Sequence, residues 1–136
     1  MARSPLANRL AALAGGACYV GWGVFHLGVA RDIYQLGVSE HGIAQGRTFQ
    51  LAGYMLCIAL FAIAVAVWGN WRNDRRAYWL NLIVIGWADA VWVAVVVLPG
   101  YVPLLRGLTP PFVYLAGALL TSWARSPWLR SRAPAS

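Results

Sequence analysis

Hydrophobic residues in this chain neither alternate nor form narrow stripes. They come in four long blocks, over residues 10–30, 49–69, 78–98 and 110–125, separated by short stretches rich in charges and helix breakers. A helix rising 1.5 Å per residue needs roughly 20 apolar residues to cross the ~30 Å hydrocarbon core of a bilayer, so each block predicts one span, the last of them short. Pro110-Pro111 suits a first helical turn, where a missing N–H costs nothing, and predicts that the fourth helix starts there. No block alternates with period two, and a membrane barrel needs more and shorter segments. The pattern therefore predicts an all-α polytopic membrane protein, a single four-transmembrane-helix bundle over residues 1–136. Segments 31–47, 70–76 and 99–109 are its expected loops.

Composition narrows the class. With 60% hydrophobic and 11% charged residues and a mean hydropathy of +0.59, the chain is no water-soluble globular domain, disordered segment or disulfide scaffold. The net charge is +7 and all 11 basic residues are arginine. A nucleic-acid partner is excluded, because the arginines cluster between apolar blocks rather than on one water-facing patch. Arg3, Arg9, Arg72, Arg75, Arg76, Arg125, Arg130 and Arg132 fall on one side of the expected bundle, and only Arg31, Arg47 and Arg106 on the other. That bias predicts a multi-pass cell-membrane protein with both termini cytoplasmic and the lipid bilayer as its partner. Trp68, Trp71, Trp79, Trp123 and Trp128 fall at the same interface, where indoles anchor. The first block shows no small-residue cleavage site and is expected to be retained as a span. Cys18 and Cys57 lie inside apolar blocks in no paired motif and read as packing residues. Ala12 and Gly16 on the first span, and Ala62 and Ala66 on the second, are spaced for close helix approach.

A few polar groups inside the blocks need explaining. Asp89 sits about eleven residues into the third span, near mid-bilayer. A carboxylate there costs at least about 2.5 kcal/mol to insert, so it must face the bundle interior or water. In an apolar pocket such a carboxyl can act as a general acid; alternatively, tied to a hydroxyl or an indole N–H, it fixes helix register. Trp92 lies three residues on and shares its face, Asn81 falls two turns earlier on the same side, and Trp87 points elsewhere. Cys18, Trp22 and His26 form one stripe of the first helix at i+4 steps. His26 can serve as acid, base or ligand, or simply bond water or a carbonyl near the interface. Glu40 and His41 fall in the first outer loop, where Gly37, Gly42 and Gly46 allow it to fold back over the bundle mouth. Gln50, Tyr54, Tyr101 and Tyr114 have polar tips placed to line a cavity from outside. No metal site is expected, since no helical His-Glu-x-x-His spacing occurs. Haem and other cofactors are not expected either, since His41 lies in a loop.

The order of features resembles, distantly, the EXPERA family of emopamil-binding sterol isomerases and sigma-2-type proteins. The likeness rests on Gly23-Val24-Phe25-His26-Leu27, and on Leu80-Asn81-Leu82 leading to Gly86-Trp87-Ala88-Asp89. It implies four spans with cytoplasmic termini and a sterol or cationic amphiphile in a membrane-facing cavity, with His26, Asp89 and Trp92 at the site. Ala30 departs from that pattern, which places an acid there, and the layout is equally that of many small bacterial four-span proteins.

Two functional readings follow from the residues. In the first, Asp89, Trp92, Trp22 and His26 line a cavity for an isoprenoid-, sterol- or lipid-like molecule. An isomerase or cyclase would then use Asp89 as proton donor, His26 as base or anchor and Trp92 as a cation-stabilising face, with Asn81, Tyr54, Tyr114 and Glu40 as further ligand contacts. In the second, the chain is a non-catalytic accessory subunit of a larger membrane complex, or packs against a further copy of itself. A proton-coupled exporter ranks last, because the first span carries no acid through its expected length.

Overall fold

The computed structural model describes the backbone of residues 5–130 and the side chains of residues 6–126. Arg3 and Arg132 therefore lie outside the described residues, and of Trp128 and Arg130 only the backbone is described. Four helices carry the chain: α1 (Pro5–Val38), α2 (Gly42–Trp68), α3 (Arg75–Trp92) and α4 (Leu104–Arg130). A single 3₁₀ turn (Asn70–Arg72) joins α2 to α3, and α3 runs on into a π-helical segment (Val93–Val97). No strand occurs among the described residues. Four stretches, Leu6–Val38, Gly42–Arg72, Arg75–Val97 and Leu104–Ser126, are long and apolar enough to cross a bilayer. The protein is thus an all-α four-helix membrane bundle. Short connections make consecutive helices antiparallel, so Pro5 and Arg130 lie at one end, called here the terminal end, opposite a far end.

Residue size decides which helices touch. The inward stripe of α1, from Ala12 through Gly16, Tyr19, Trp22, Gly23 and His26 to Ala30, is buried at three- and four-residue steps. Its small members bring backbones together. A Cβ at Gly15 would stand 3.0 Å from the Gly117 carbonyl oxygen of α4, and one at Gly23 would stand 2.9 Å from the Ala59 carbonyl oxygen of α2. Consequently α1 packs most closely on α2 and α4. By contrast α3 stands off, because the bulky buried side chains of Tyr19, Trp22, Ile85 and Asn81 fill the space around it. Side-chain bonds hold it at that distance. Tyr114 Oη donates to the Leu82 carbonyl at 2.9 Å, and the Tyr78 and Ser122 hydroxyls pair at 2.9 Å. The expected close-packing residues Ala12, Gly16, Ala62 and Ala66 are all buried.

The turn at the terminal end is tightly built. Asn73 adopts the left-handed region (φ 57°) that ends the 3₁₀ turn, and Asp74 caps α3 by accepting the backbone N–H groups of Ala77 (2.9 Å) and Arg76 (2.8 Å). These bonds, Ala77's first, hold the Asp74 carboxyl below the usual carboxylate range against slight desolvation, with Arg125 and Arg76 adding attraction.

Three expected boundaries are corrected. α1 continues past residue 30 to Val38 and α2 begins at Gly42 rather than 49, so the supposed long outer loop is a three-residue turn, Ser39–His41. It cannot fold back over the bundle. The hydropathy boundary marked the depth of lipid, whereas Asp32-Ile33-Tyr34-Gln35-Leu36 is helix-competent beyond it. α4 likewise starts at Leu104, not Pro110. The proline pair lies in its second turn, where Pro110 and Pro111 cannot donate to the carbonyls of Arg106 and Gly107.

Candidate functional site

Because α3 stands away from α1, the far half of the bundle encloses a cavity of about 440 Å³. All four helices wall it: Trp22, Phe25, His26, Val29 and Ile33 from α1, Leu51 and Met55 from α2, Ala88, Asp89, Val91 and Trp92 from α3, and Arg106, Gly107 and Pro110 from α4. Val95, Val96 and Val102 complete the far side. Phe25, Leu51, Val91 and Val95 belong both to this wall and to the exposed outer surface, so the cavity opens sideways to the membrane.

The polar wall groups are organised around Trp22. Its indole Nε1–H donates to both oxygens of Asp89, at 3.2 and 3.1 Å, joining α1 to α3 in a buried setting. Its ring stacks on the His26 imidazole at 3.7 Å between centroids. His26 Nδ1 lies 2.8 Å from the Trp22 carbonyl oxygen. A carbonyl only accepts, so Nδ1 carries the hydrogen, and the lone pair of the neutral ring is on Nε2. Asp89 and His26 thus share one cavity, linked through one tryptophan. The Asp89 carboxyl both ties α1 to α3 and lines the cavity.

Trp92 solves a different problem. Its Nε1–H donates to the Gly107 carbonyl at 2.8 Å, the very carbonyl that Pro111 leaves without its helical donor. The indole is thereby locked into the cavity wall. Just beyond it, the backbone widens to π geometry, with Leu98 N–H reaching back five residues to Val93 at 2.9 Å. Such single π turns often sit beside functional sites.

Four of the expected contacts lie elsewhere. Asn81 is buried toward the terminal end, donating to Asn70 Oδ1 at 3.2 Å and weakly to the Ala62 carbonyl. Tyr114 is committed to the Leu82 carbonyl and packs over Gly86. Tyr54 is exposed on α2, paired with Gln50, and Glu40 sits in the α1–α2 turn. None of these four lines the cavity. Arg106, which does, escaped sequence reasoning because its segment read as a loop; a helix begun at Leu104 places it, still exposed, at the cavity's edge one turn before Pro110. Among the described residues no group of three His, Cys, Asp or Glu side chains gathers to hold a metal.

No family model, curated protein or solved structure matches this chain.

Proposed function

We propose that the protein binds an apolar isoprenoid-, sterol- or lipid-like molecule in this cavity. One observation carries the reading: a laterally open, largely hydrophobic hollow whose wall includes a buried carboxyl and an imidazole. The lateral opening suits a guest that arrives through lipid. Two indole faces suit a flat or cationic apolar body, and Asp89, His26 and Arg106 supply a few polar contacts that orient it. The same groups support acid–base isomerisation, the activity that the EXPERA resemblance implies. Asp89 would deliver a proton to one carbon of an alkene and His26 Nε2 would remove one from another, shifting the double bond with no oxidant or reductant.

The test is native mass spectrometry of protein extracted in mild detergent. A retained apolar molecule of a few hundred daltons, lost or weakened in Asp89→Asn, is the expected result. An empty bundle that co-purifies with a stoichiometric membrane protein would instead establish the accessory-subunit reading. If Asp89→Asn holds and turns over ligand as the parent does, the catalytic role of the carboxyl is wrong.

A further inference from the structure

At the terminal end, away from the cavity, arginines from two separate parts of the chain converge on one concave site. Arg72 comes from the 3₁₀ turn, Arg75 from the start of α3 and Arg125 from the last turns of α4; with Trp68, Asn73 and Asp74 they line a pocket of about 540 Å³. Arg125 is held in place. Its guanidinium donates to the Asn73 carbonyl at 2.9 Å and lies over the Tyr78 ring, 5.2 Å from the centroid. Arg72 and Arg75 are exposed. The pocket's one carboxylate, Asp74, already accepts two backbone N–H groups as the cap of α3. Three guanidiniums against one carboxylate leave the site with a charge of +2.

We propose that this pocket is a phosphate site that seats the headgroup of an anionic membrane lipid. Guanidinium forks match phosphate oxygens two at a time, and a fixed Arg125 makes the site partly formed before the guest arrives. Its depth points to lipid as the source. The second apolar stretch ends at Arg72 and the third begins at Arg75, so the pocket lies at the level of lipid phosphates. The exposed indole of Trp68 sits there as interfacial tryptophans do. Arg76 makes the needed contrast: it is the immediate neighbour of Arg75 and equally charged, but it does not line this pocket.

The experiment is a titration of the full chain in neutral detergent, read by native mass spectrometry, with phosphatidylglycerol, phosphatidylcholine or inorganic phosphate. Phosphatidylglycerol should give a saturable 1:1 adduct that phosphatidylcholine does not. Arg75→Gln should weaken it about fivefold, and the Arg72→Gln/Arg75→Gln pair more than tenfold, at about fivefold per juxtamembrane arginine. Arg76→Gln should leave it unchanged, and thermal unfolding of all three variants should match the parent. Displacement of the lipid by millimolar inorganic phosphate would uphold the phosphate site and assign it to a soluble guest. Equal losses in Arg75→Gln and Arg76→Gln would overturn the proposal in favour of diffuse charge attraction, as would equal binding of phosphatidylcholine.

Discussion

Trp22 connects the two titratable groups of the cavity without either touching the other through a bond of its own. Its N–H satisfies Asp89, its ring face covers His26, and its carbonyl fixes the His26 tautomer. Trp22→Phe removes the N–H together with part of the ring, and leaves a buried carboxyl without its donor beside a smaller aromatic face. The expected loss of stability in detergent is about 0.5–2 kcal/mol for the hydrogen bond and the unpaired buried acceptor, with the lost ring packing added to it. Asp89→Asn keeps a carbonyl oxygen for the same N–H, so thermal unfolding should show it as the milder of the two. The opposite order would mean that the carboxyl's charge, and not the indole bond, holds α1 to α3. Much of this cluster was legible in the sequence. An ionisable group in an apolar span is expensive wherever it faces lipid, which singled out Asp89, and four-residue spacing put Trp22 and His26 on one stripe. Distant partners were not legible: spacing along one helix says nothing about which face of another it meets, so the bonds of Asn81 to Asn70 and of Tyr114 to the Leu82 carbonyl could not be read.

Helix ends were read less well than helix cores, and the causes are specific. Hydropathy reports where lipid stops, and α1 runs 34 residues, about 50 Å, well past that depth. Pro110-Pro111 read as a helix start because a lone sequence cannot show that Trp92, nineteen residues before Pro111, supplies the missing donor. That arrangement predicts a coupling. Trp92→Phe should cost about 1 kcal/mol more in the parent, by stranding the Gly107 carbonyl, than in a Pro111→Ala background, where the restored N–H takes over and only the packing loss remains. A double-mutant cycle from thermal unfolding measures the difference; additive losses would show that the indole matters only as packing. The cap of α3 predicts a pH dependence of defined sign. Asp74 has its carboxyl held below its ordinary 3.8, so its contribution is complete above that value and disappears as pH falls through the lower folded one. Asp74→Ala should therefore cost about 1 kcal/mol at neutral pH, a typical cap value, with the gap to the parent closing only below pH 4.

Across the whole molecule, one contrast generates the cavity: α1 packs backbone to backbone on α2 and on α4 while bulky residues hold α3 away from it. The sequence showed small residues at helical spacing but not which helix each would meet, so the hollow could be postulated and not located. If close approach of α1 to α4 sets the frame, a side chain added at that contact cannot be absorbed, because it meets the Thr121 methyl at 2.7 Å, on a side chain hydrogen-bonded to the Gly117 carbonyl, and backbone behind it. At Gly15 the Gly117 carbonyl oxygen and the Thr121 nitrogen both stand 3.0 Å from where a Cβ would be. Gly15→Val should thus separate the helices and lower stability by about 2 kcal/mol, in the usual range for overpacking. At Gly21, one and a half turns along the same helix, nothing lies within 4 Å. There Gly21→Ala should stabilise by about 0.5–1 kcal/mol through helix propensity alone. The two variants also separate frame from site, since neither residue lines the cavity. Gly15→Val should weaken retention of the co-extracted molecule along with the fold, by shifting α4 and with it Arg106 and Gly107, whereas Gly21→Ala should raise the melting temperature and leave retention as it was. A bundle that accepts valine at Gly15 without loss would show that α1 and α4 are not clamped there, and the explanation for why α3 alone stands apart would fail.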